Sequence, residues 1–251
     1  MSANEHILFG KNAVREAFLA GRRFEKLLVQ IGFDKEELQF YKEQEAAPEI
    51  KMLPKERLDL ALRKAMGNRP VSHQGIVAFV AQVEFFRLED VIAQIYSRGE
   101  SPFLLVLDGI TDVRNLGAIA RSACSFGLHA LVVPMRNNAP VNPEAMKASA
   151  GALSRITICK ESSIEVIVKL LHAHGIRLVA ADSAQGVSAA AIDWNGPLAL
   201  VMGSEDEGVS AITRRLAAEK VKIETAETFE SLNVSVAAGI LLHHAFHSRT
   251  K

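Results

Sequence analysis

Cysteine is nearly absent: Cys124 and Cys159 are the only two in 251 residues. That is too few for a disulfide framework or a thiolate metal site, and a reducing compartment would leave both as small buried thiols. A surplus of either charge is also lacking, since 29 basic and 29 acidic side chains cancel. The overall balance therefore does not advertise a polyanionic partner, and any nucleic-acid affinity has to be local. No apolar run is long enough to span a bilayer. The start, MSANEHILFGKNAVREAF, lacks the basic residues and unbroken apolar stretch of a secretory signal, which points to a cytoplasmic protein with no membrane partner. Neither GxGxxG nor a phosphate-binding loop ending in Lys-Ser or Lys-Thr occurs, which weighs against a nucleotide-binding oxidoreductase.

What is present is enough apolar sequence, 49% of residues, to bury a substantial core and divide into two domains. Residues 1–82 alternate helical and extended patterns and read as a small complete α/β unit. Asn12 is placed to cap a first helix and Gly21 to stop it. Strands are expected at 26–31, at EIKML and at GIVAFVA, with a charged helix over roughly 34–46 and another opened by Pro54. Two basic groups, Arg22, Arg23 and Lys26, then Arg63, Lys64 and Arg69, suit phosphate contacts or solvated helix ends equally well. Residues 83–101 hold one short amphipathic helix and a polar turn and read as a linker. From 102 to 251 the apolar runs FLLVL, ALVV, ITIC, IRLVAA, LALVM and VKIE recur between helical segments, the pattern of a mostly parallel sheet covered on both faces. Ligands of such open sheets sit beyond the carboxyl ends of the strands.

Three segments following strands carry candidate chemistry. In LDGITDVRNLGAIARSA the apolar stripe is Leu116, Ile119, Ala120 and Ala123, with Arg121 on the opposite side and Gly117 one turn before it. Alone, Asn115 reads as a helix cap and Arg121 as a surface charge, with Gly117 leaving room for a group to approach the guanidinium. In LALVMGSEDEGVS the glycines allow close approach of a ligand to the backbone. The carboxylates of Glu205, Asp206 and Glu207 suit a cation such as a sulfonium, or the positive end of the next helix. In VKIETAETFESLNVSVAAGILLHHAF, Ser231 and Asn233 stand where a helix begins, and alone they read as caps. His243 and His247, four apart, have no clear third ligand, so no metal site is expected. His73 is expected to fix the connection between domains, and Trp194 to pack on a nearby loop.

Together these segments resemble the three motifs of the SpoU/TrmH family of RNA ribose methyltransferases, within the SPOUT superfamily. NLGAIARSA carries that family's Asn and Arg as Asn115 and Arg121. GSEDEG carries its Gly and Glu as Gly203 and Glu205, and SLNVSVAAG its Ser and Asn as Ser231 and Asn233. KASAGAL, FGKNAVREAF and HQGIVA extend the likeness over nearly the whole chain. The nearest likeness is to members that methylate a guanosine ribose of 23S ribosomal RNA. The third motif departs from the usual Ile-Pro-Met and following glycine: Ile223 precedes Glu224 and Thr225, and Glu227 stands near the glycine position. Val113 and Arg114 replace a Pro-His pair.

The resemblance implies a first domain like ribosomal protein L30e that binds the RNA substrate, and a second folded as a SPOUT trefoil knot. It implies a homodimer with S-adenosyl-L-methionine held by Met202, Gly203, Ile223 and Leu232. Catalysis is then expected from Arg121 at the 2′-hydroxyl, Asn115 and Asn233 orienting, and Glu205 and Ser231 holding the arginine and loop. A tRNA ribose methyltransferase, or an inactive homologue that binds RNA in ribosome assembly, is the alternative; no DNA partner is expected.

Overall fold

The computed structural model describes residues 7–43, 48–66, 72–80, 83–226 and 232–249. Ser231, Glu227 and Arg69 lie outside the described residues. Two compact units divide at Glu84 and Phe85.

The first unit runs β1 (Ile7–Phe9), α1 (Lys11–Leu19), β2 (Phe24–Gln30), α2 (Lys35–Lys42), β3 (Glu49–Leu53), α3 (Lys55–Met66) and β4 (Ile76–Val80). Its sheet has the order β1-β4-β2-β3 and is mixed: β4 is antiparallel to both neighbours, whereas β2 and β3 are parallel. Alternation along β2 splits the interior in two, because successive side chains of a strand face opposite ways. Leu27 and Val29 join Val14, Tyr41 and Phe24 on one face, and Leu28 meets Leu58 and Leu62 of α3 on the other. Asp34 caps α2, accepting from the Glu36 and Glu37 amides. Asn12 is not a cap, because α1 already begins at Lys11 behind Gly10. Gly21 takes the expected left-handed turn, φ 80°. Among the described residues, the ring nitrogens of His73 bond within this unit and not to the connection after it. Its Nε2 lies 2.8 Å from Asp59 Oδ1 and its Nδ1 accepts from the Gly75 amide at 3.0 Å, both within this unit. Of the basic groups, Arg23 pairs with Glu84 at 2.7 Å.

The second unit comprises β5 (Phe85–Phe86), α4 (Leu88–Ser97), β6 (Phe103–Asp108), α5 (Val113–Ser125), β7 (Ala130–Pro134), α6 (Pro143–Ala148), β8 (Thr157–Glu161) and α7 (Ile164–Ala173). It continues through β9 (Arg177–Ala181), β10 (Val187–Ser188), β11 (Leu198–Gly203), α8 (Ala211–Leu216), β12 (Glu219–Lys222) and α9 (Val234–Arg249). The eight strands pair in the order β10-β12-β9-β11-β6-β7-β8-β5, and every pairing is parallel. The central strands β6, β7 and β11 are buried along their whole length, as sequences apolar on both faces require. Helices α4 and α7 pack on one face through Val91, Ile92, Ile167 and Leu171. Helices α5, α6 and α9 pack together as the other layer.

Residues 83–101 are therefore not a linker. They hold β5, which pairs with β8, and α4, whose Leu88 and Ile92 are fully buried in the second unit's core. At about 1.5–3 kcal/mol for each large aliphatic side chain removed from water, α4 is bound as firmly as any core helix. Trp194 is buried and donates its indole N–H to the Ala189 carbonyl at 2.9 Å. Among the described residues, no helix is long and apolar enough to cross a membrane.

Candidate active site

The functional geometry gathers at the carboxyl edge of the parallel sheet. Strand β11 ends at Gly203, where a Cβ would lie 2.0 Å from the Gly208 carbonyl carbon, so only glycine fits. Two backbone hydrogen bonds of 3.1 Å between Ser204 and Gly208 then close a tight turn, and the Ser204 hydroxyl accepts from the Glu207 amide. Gly208 turns with φ 68°. Glu205, Asp206 and Glu207 are thereby projected into solvent. Below the turn, the buried carboxylate of Asp108 at the end of β6 accepts from the Ser210 amide at 2.8 Å and the Thr213 hydroxyl at 2.7 Å. Asp108 thus ties the loop after β11 to the neighbouring strand. Sequence reasoning missed it; the available signal was a carboxylate at the last position of an apolar strand.

Three expected site residues meet. Asn233 donates its amide to Asn115 Oδ1 at 3.1 Å and to Glu205 Oε1 at 2.5 Å, and Asn115 donates to the same Glu205 oxygen at 3.3 Å. That oxygen also accepts from the Val234 amide at 3.2 Å. Asn233 is at once the cap of α9, its Oδ1 accepting from the Ser235 amide at 3.0 Å and the Val236 amide at 3.4 Å. The acidic turn therefore does complement the positive end of a helix, but of α9; the next helix, α8, is capped by Ser210. Asn115 is not the cap of α5. Asp112 is, accepting from the Arg114 amide at 2.7 Å, which frees the Asn115 side chain to cross to Glu205.

Arg121 stands apart from these three within the chain. It lies six residues beyond Asn115 on α5, about 9 Å along the axis. Its side chain is exposed, and the guanidinium makes no hydrogen bond or ion pair with any described residue; only its carbonyl accepts, from the Ser125 hydroxyl at 2.9 Å. Gly117 does not make space for that guanidinium. A Cβ there would sit 2.6 Å from Ala148 Cβ and 2.8 Å from the Ser149 amide nitrogen, so the glycine admits the backbone of α6. Buried Ser149, in the KASAGAL segment, holds that crossing by donating to the Met146 carbonyl at 2.8 Å.

A cavity of about 320 Å³ opens beside the turn. Met202, Gly203, Ile223 and Leu232 all line it, together with Glu205 and Thr225. Its size falls in the range of about 300–1,000 Å³ typical of small-molecule and cofactor sites. In its lining the carboxylates of Asp182, Glu205, Asp206 and Glu207 outnumber the cations Arg214 and Lys222, which with the apolar wall suits an organic cation, and the bare Gly203 backbone forms part of the cradle.

A model of the SpoU rRNA methylase family matches residues 102–243, and a model for RNA 2′-O ribose methyltransferase substrate binding matches residues 7–86. YacO of Bacillus subtilis, named for the TrmH family of tRNA/rRNA methyltransferases, is 32% identical over 99% of this chain and 98% of its own length. The 23S rRNA (guanosine-2′-O-)-methyltransferase RlmB of Yersinia pestis is 38% identical over 70% of this chain and 72% of its own. The crystal structure of the SpoU methyltransferase AviRb from Streptomyces viridochromogenes, in complex with AdoMet, shares the fold with a TM-score of 0.63. It is 23% identical and covers 97% of this chain and 90% of that one.

Proposed function

The chain belongs to the SpoU rRNA methylase family, and from that premise we propose that it methylates a guanosine ribose 2′-hydroxyl of 23S ribosomal RNA in the cytoplasm, using S-adenosylmethionine. The observation that carries this reading is the junction of Glu205 with Asn115 and Asn233 on the rim of a cavity lined by Met202, Gly203, Ile223 and Leu232. When bound, the cofactor would supply a methyl group activated by a positive sulfonium. Met202, Ile223 and Leu232 would give it an apolar seat and the Gly203 backbone close contact, with the Glu205 carboxylate offsetting its charge. Asn115 and Asn233, each bonded to Glu205, would orient the incoming ribose, and such positioning supplies much of the acceleration in group transfer. Ser231 belongs to the same proposal as a holder of the loop before α9.

Arg121 has its place in this proposal through a homodimer, with its exposed guanidinium serving the cavity of the partner copy. Val236 and Phe246 of α9 are exposed, and the ring of Phe246 lies 5.9 Å from that of Phe126, the residue that ends α5. In this proposal they supply an apolar surface for a second copy. A guanidinium is a poor proton acceptor. Its role is to lower the proton affinity of the 2′-hydroxyl and to clamp a neighbouring phosphate. We include the trefoil knot and the RNA-binding role of the first unit in the same reading.

The test is Arg121→Lys. Single-turnover methylation should fall at least a hundredfold while calorimetric affinity for S-adenosylmethionine stays within twofold; near-normal rates would reject the assignment. Mapping ribose methylation in ribosomal RNA from a strain lacking the gene identifies the nucleotide. Failure of the parent chain to bind S-adenosylmethionine would favour an RNA-binding homologue without catalysis.

A further inference from the structure

A second, larger cleft of about 1000 Å³ lies over the carboxyl ends of β6, β7 and β8. It shares Ser204, Glu207, Gly208, Val209 and Arg214 with the cofactor-sized cavity, so the turn carrying Glu205 is the wall between the two. Its outer lip is the loop Met135–Arg136–Asn137 after β7. The loop is pinned at both ends: the Met135 amide donates to the Glu161 carbonyl at 2.8 Å, and the Ala139 amide to the Ile110 carbonyl at 2.6 Å. Asn137 takes the left-handed region, φ 54°, which asparagine tolerates better than other residues with a side chain.

What this rigid loop presents is unusual for a surface. Met135 is 61% exposed directly after a fully buried strand. Arg136 is exposed and forms no ion pair or hydrogen bond with any described residue. In the same loop, Asn138 Oδ1 is buried without a donor among the described residues. On the opposite lip, Ser163 caps α7, and its hydroxyl holds the Glu165 carboxyl below the ordinary carboxylate range. The cleft thus offers a free cation and an apolar platform at one lip and an ionised acceptor at the other, with Arg214, Asp108 and Glu207 lining its wall toward the acidic turn. That is the chemistry of a polyanion whose apolar faces and N–H edges are uncovered, which describes single-stranded RNA and not a duplex with its bases stacked and paired.

We propose that this cleft seats a single-stranded RNA segment running past the methyl-transfer cavity, with Arg136 on a phosphate, Met135 against a base face and Glu165 facing base N–H donors. The proposal rests on the methyltransferase reading above and adds the track by which the nucleotide reaches the cavity.

The probe is a 12-nucleotide single-stranded RNA of random sequence containing 4-thiouridine, photocrosslinked to the full chain and mapped by mass spectrometry. Crosslinks should fall within residues 134–138. By fluorescence anisotropy at low salt, Arg136→Glu should weaken binding about tenfold. It should also flatten the salt dependence by about 0.7 in log K per log salt, the loss of one single-strand phosphate contact. Met135→Ser should reduce crosslinking, and both variants should keep the parent's calorimetric affinity for S-adenosylmethionine. Crosslinks confined to other segments, no RNA binding by the parent, or an Arg136→Glu affinity within twofold of it would each overturn the proposal. If crosslinks map to the loop but the parent does not bind S-adenosylmethionine, the cleft stands and the methyltransferase reading falls.

Discussion

Gly203 and Glu205, two residues apart, answer to different constraints. At Gly203 the constraint is space: a Cβ would lie 2.0 Å from Gly208 and 2.1 Å from the Val209 amide nitrogen, and backbone cannot step aside. Gly203→Ala should cost about 1–3 kcal/mol of stability, as overpacking does. It should also abolish S-adenosylmethionine binding, with urea denaturation and calorimetry reading the two effects. At Glu205 the constraint is charge at the start of α9, where one oxygen accepts from the Val234 amide, Asn115 and Asn233. Glu205→Gln keeps the shape and one acceptor, so it should cost only about 0.3–1 kcal/mol, the scale of a charge at a helix terminus. Cys159 carries a pH prediction. Burial raises its thiol from 9.0 to about 12. The folded chain holds that proton more tightly than the unfolded chain, so stability is full below pH 9 and falls as pH rises toward 12. Burial raises the Tyr41 hydroxyl as well, with the same sign. Urea unfolding at pH 8 and 10.5 should show the loss, and Cys159→Ala should remove part of it.

Helices α5 and α9 are where local pattern and distant packing divide the work. The stripe Leu116, Ile119, Ala120 and Ala123 is read directly from helical spacing and is fully buried. Gly117 escaped the same reasoning because what fills its space, Ala148 and Ser149, lies more than thirty residues away in sequence. Helical periodicity reports which face is apolar and says nothing about how closely another backbone approaches it. Asn233 combines both kinds of role, as the cap of α9 and as a partner of Asn115 and Glu205. Two substitutions separate them. Asn233→Ala should lose both and cost about 1–2 kcal/mol for the cap alone. Asn233→Asp keeps the cap but sets a second carboxylate beside Glu205. Its thermal midpoint should stay nearer the parent's, while its single-turnover methylation rate falls as far as that of Asn233→Ala. An Asp variant with parent-like stability and full activity would reduce Asn233 to a cap.

Across the whole molecule, each unit has its own apolar clusters, and residues 85–251 include α4 in theirs. The fragment 85–251 should therefore fold with a single cooperative transition by circular dichroism and bind S-adenosylmethionine, while its affinity for ribosomal RNA drops. An unfolded fragment would show that the first unit is needed for the second to fold. The parallel sheet was legible in the chain because strands buried on both faces must be continuously apolar; FLLVL, ALVV and LALVM could be little else. Edge strands of two residues, β5 and β10, left no such trace and were not foreseen. Periodicity and the glycines by themselves determined the layers of this protein and the places where its turns fall. Only the tertiary structure decided that Asp108 holds the acidic turn, that Glu205 belongs to α9, and that Arg121 does not join Asn115 and Asn233 within one chain. The physical reason is range. The apolar period and backbone conformation are read from residues a few positions apart, whereas hydrogen bonds spanning 90 to 118 residues exist only once the sheet has brought its loops to one edge.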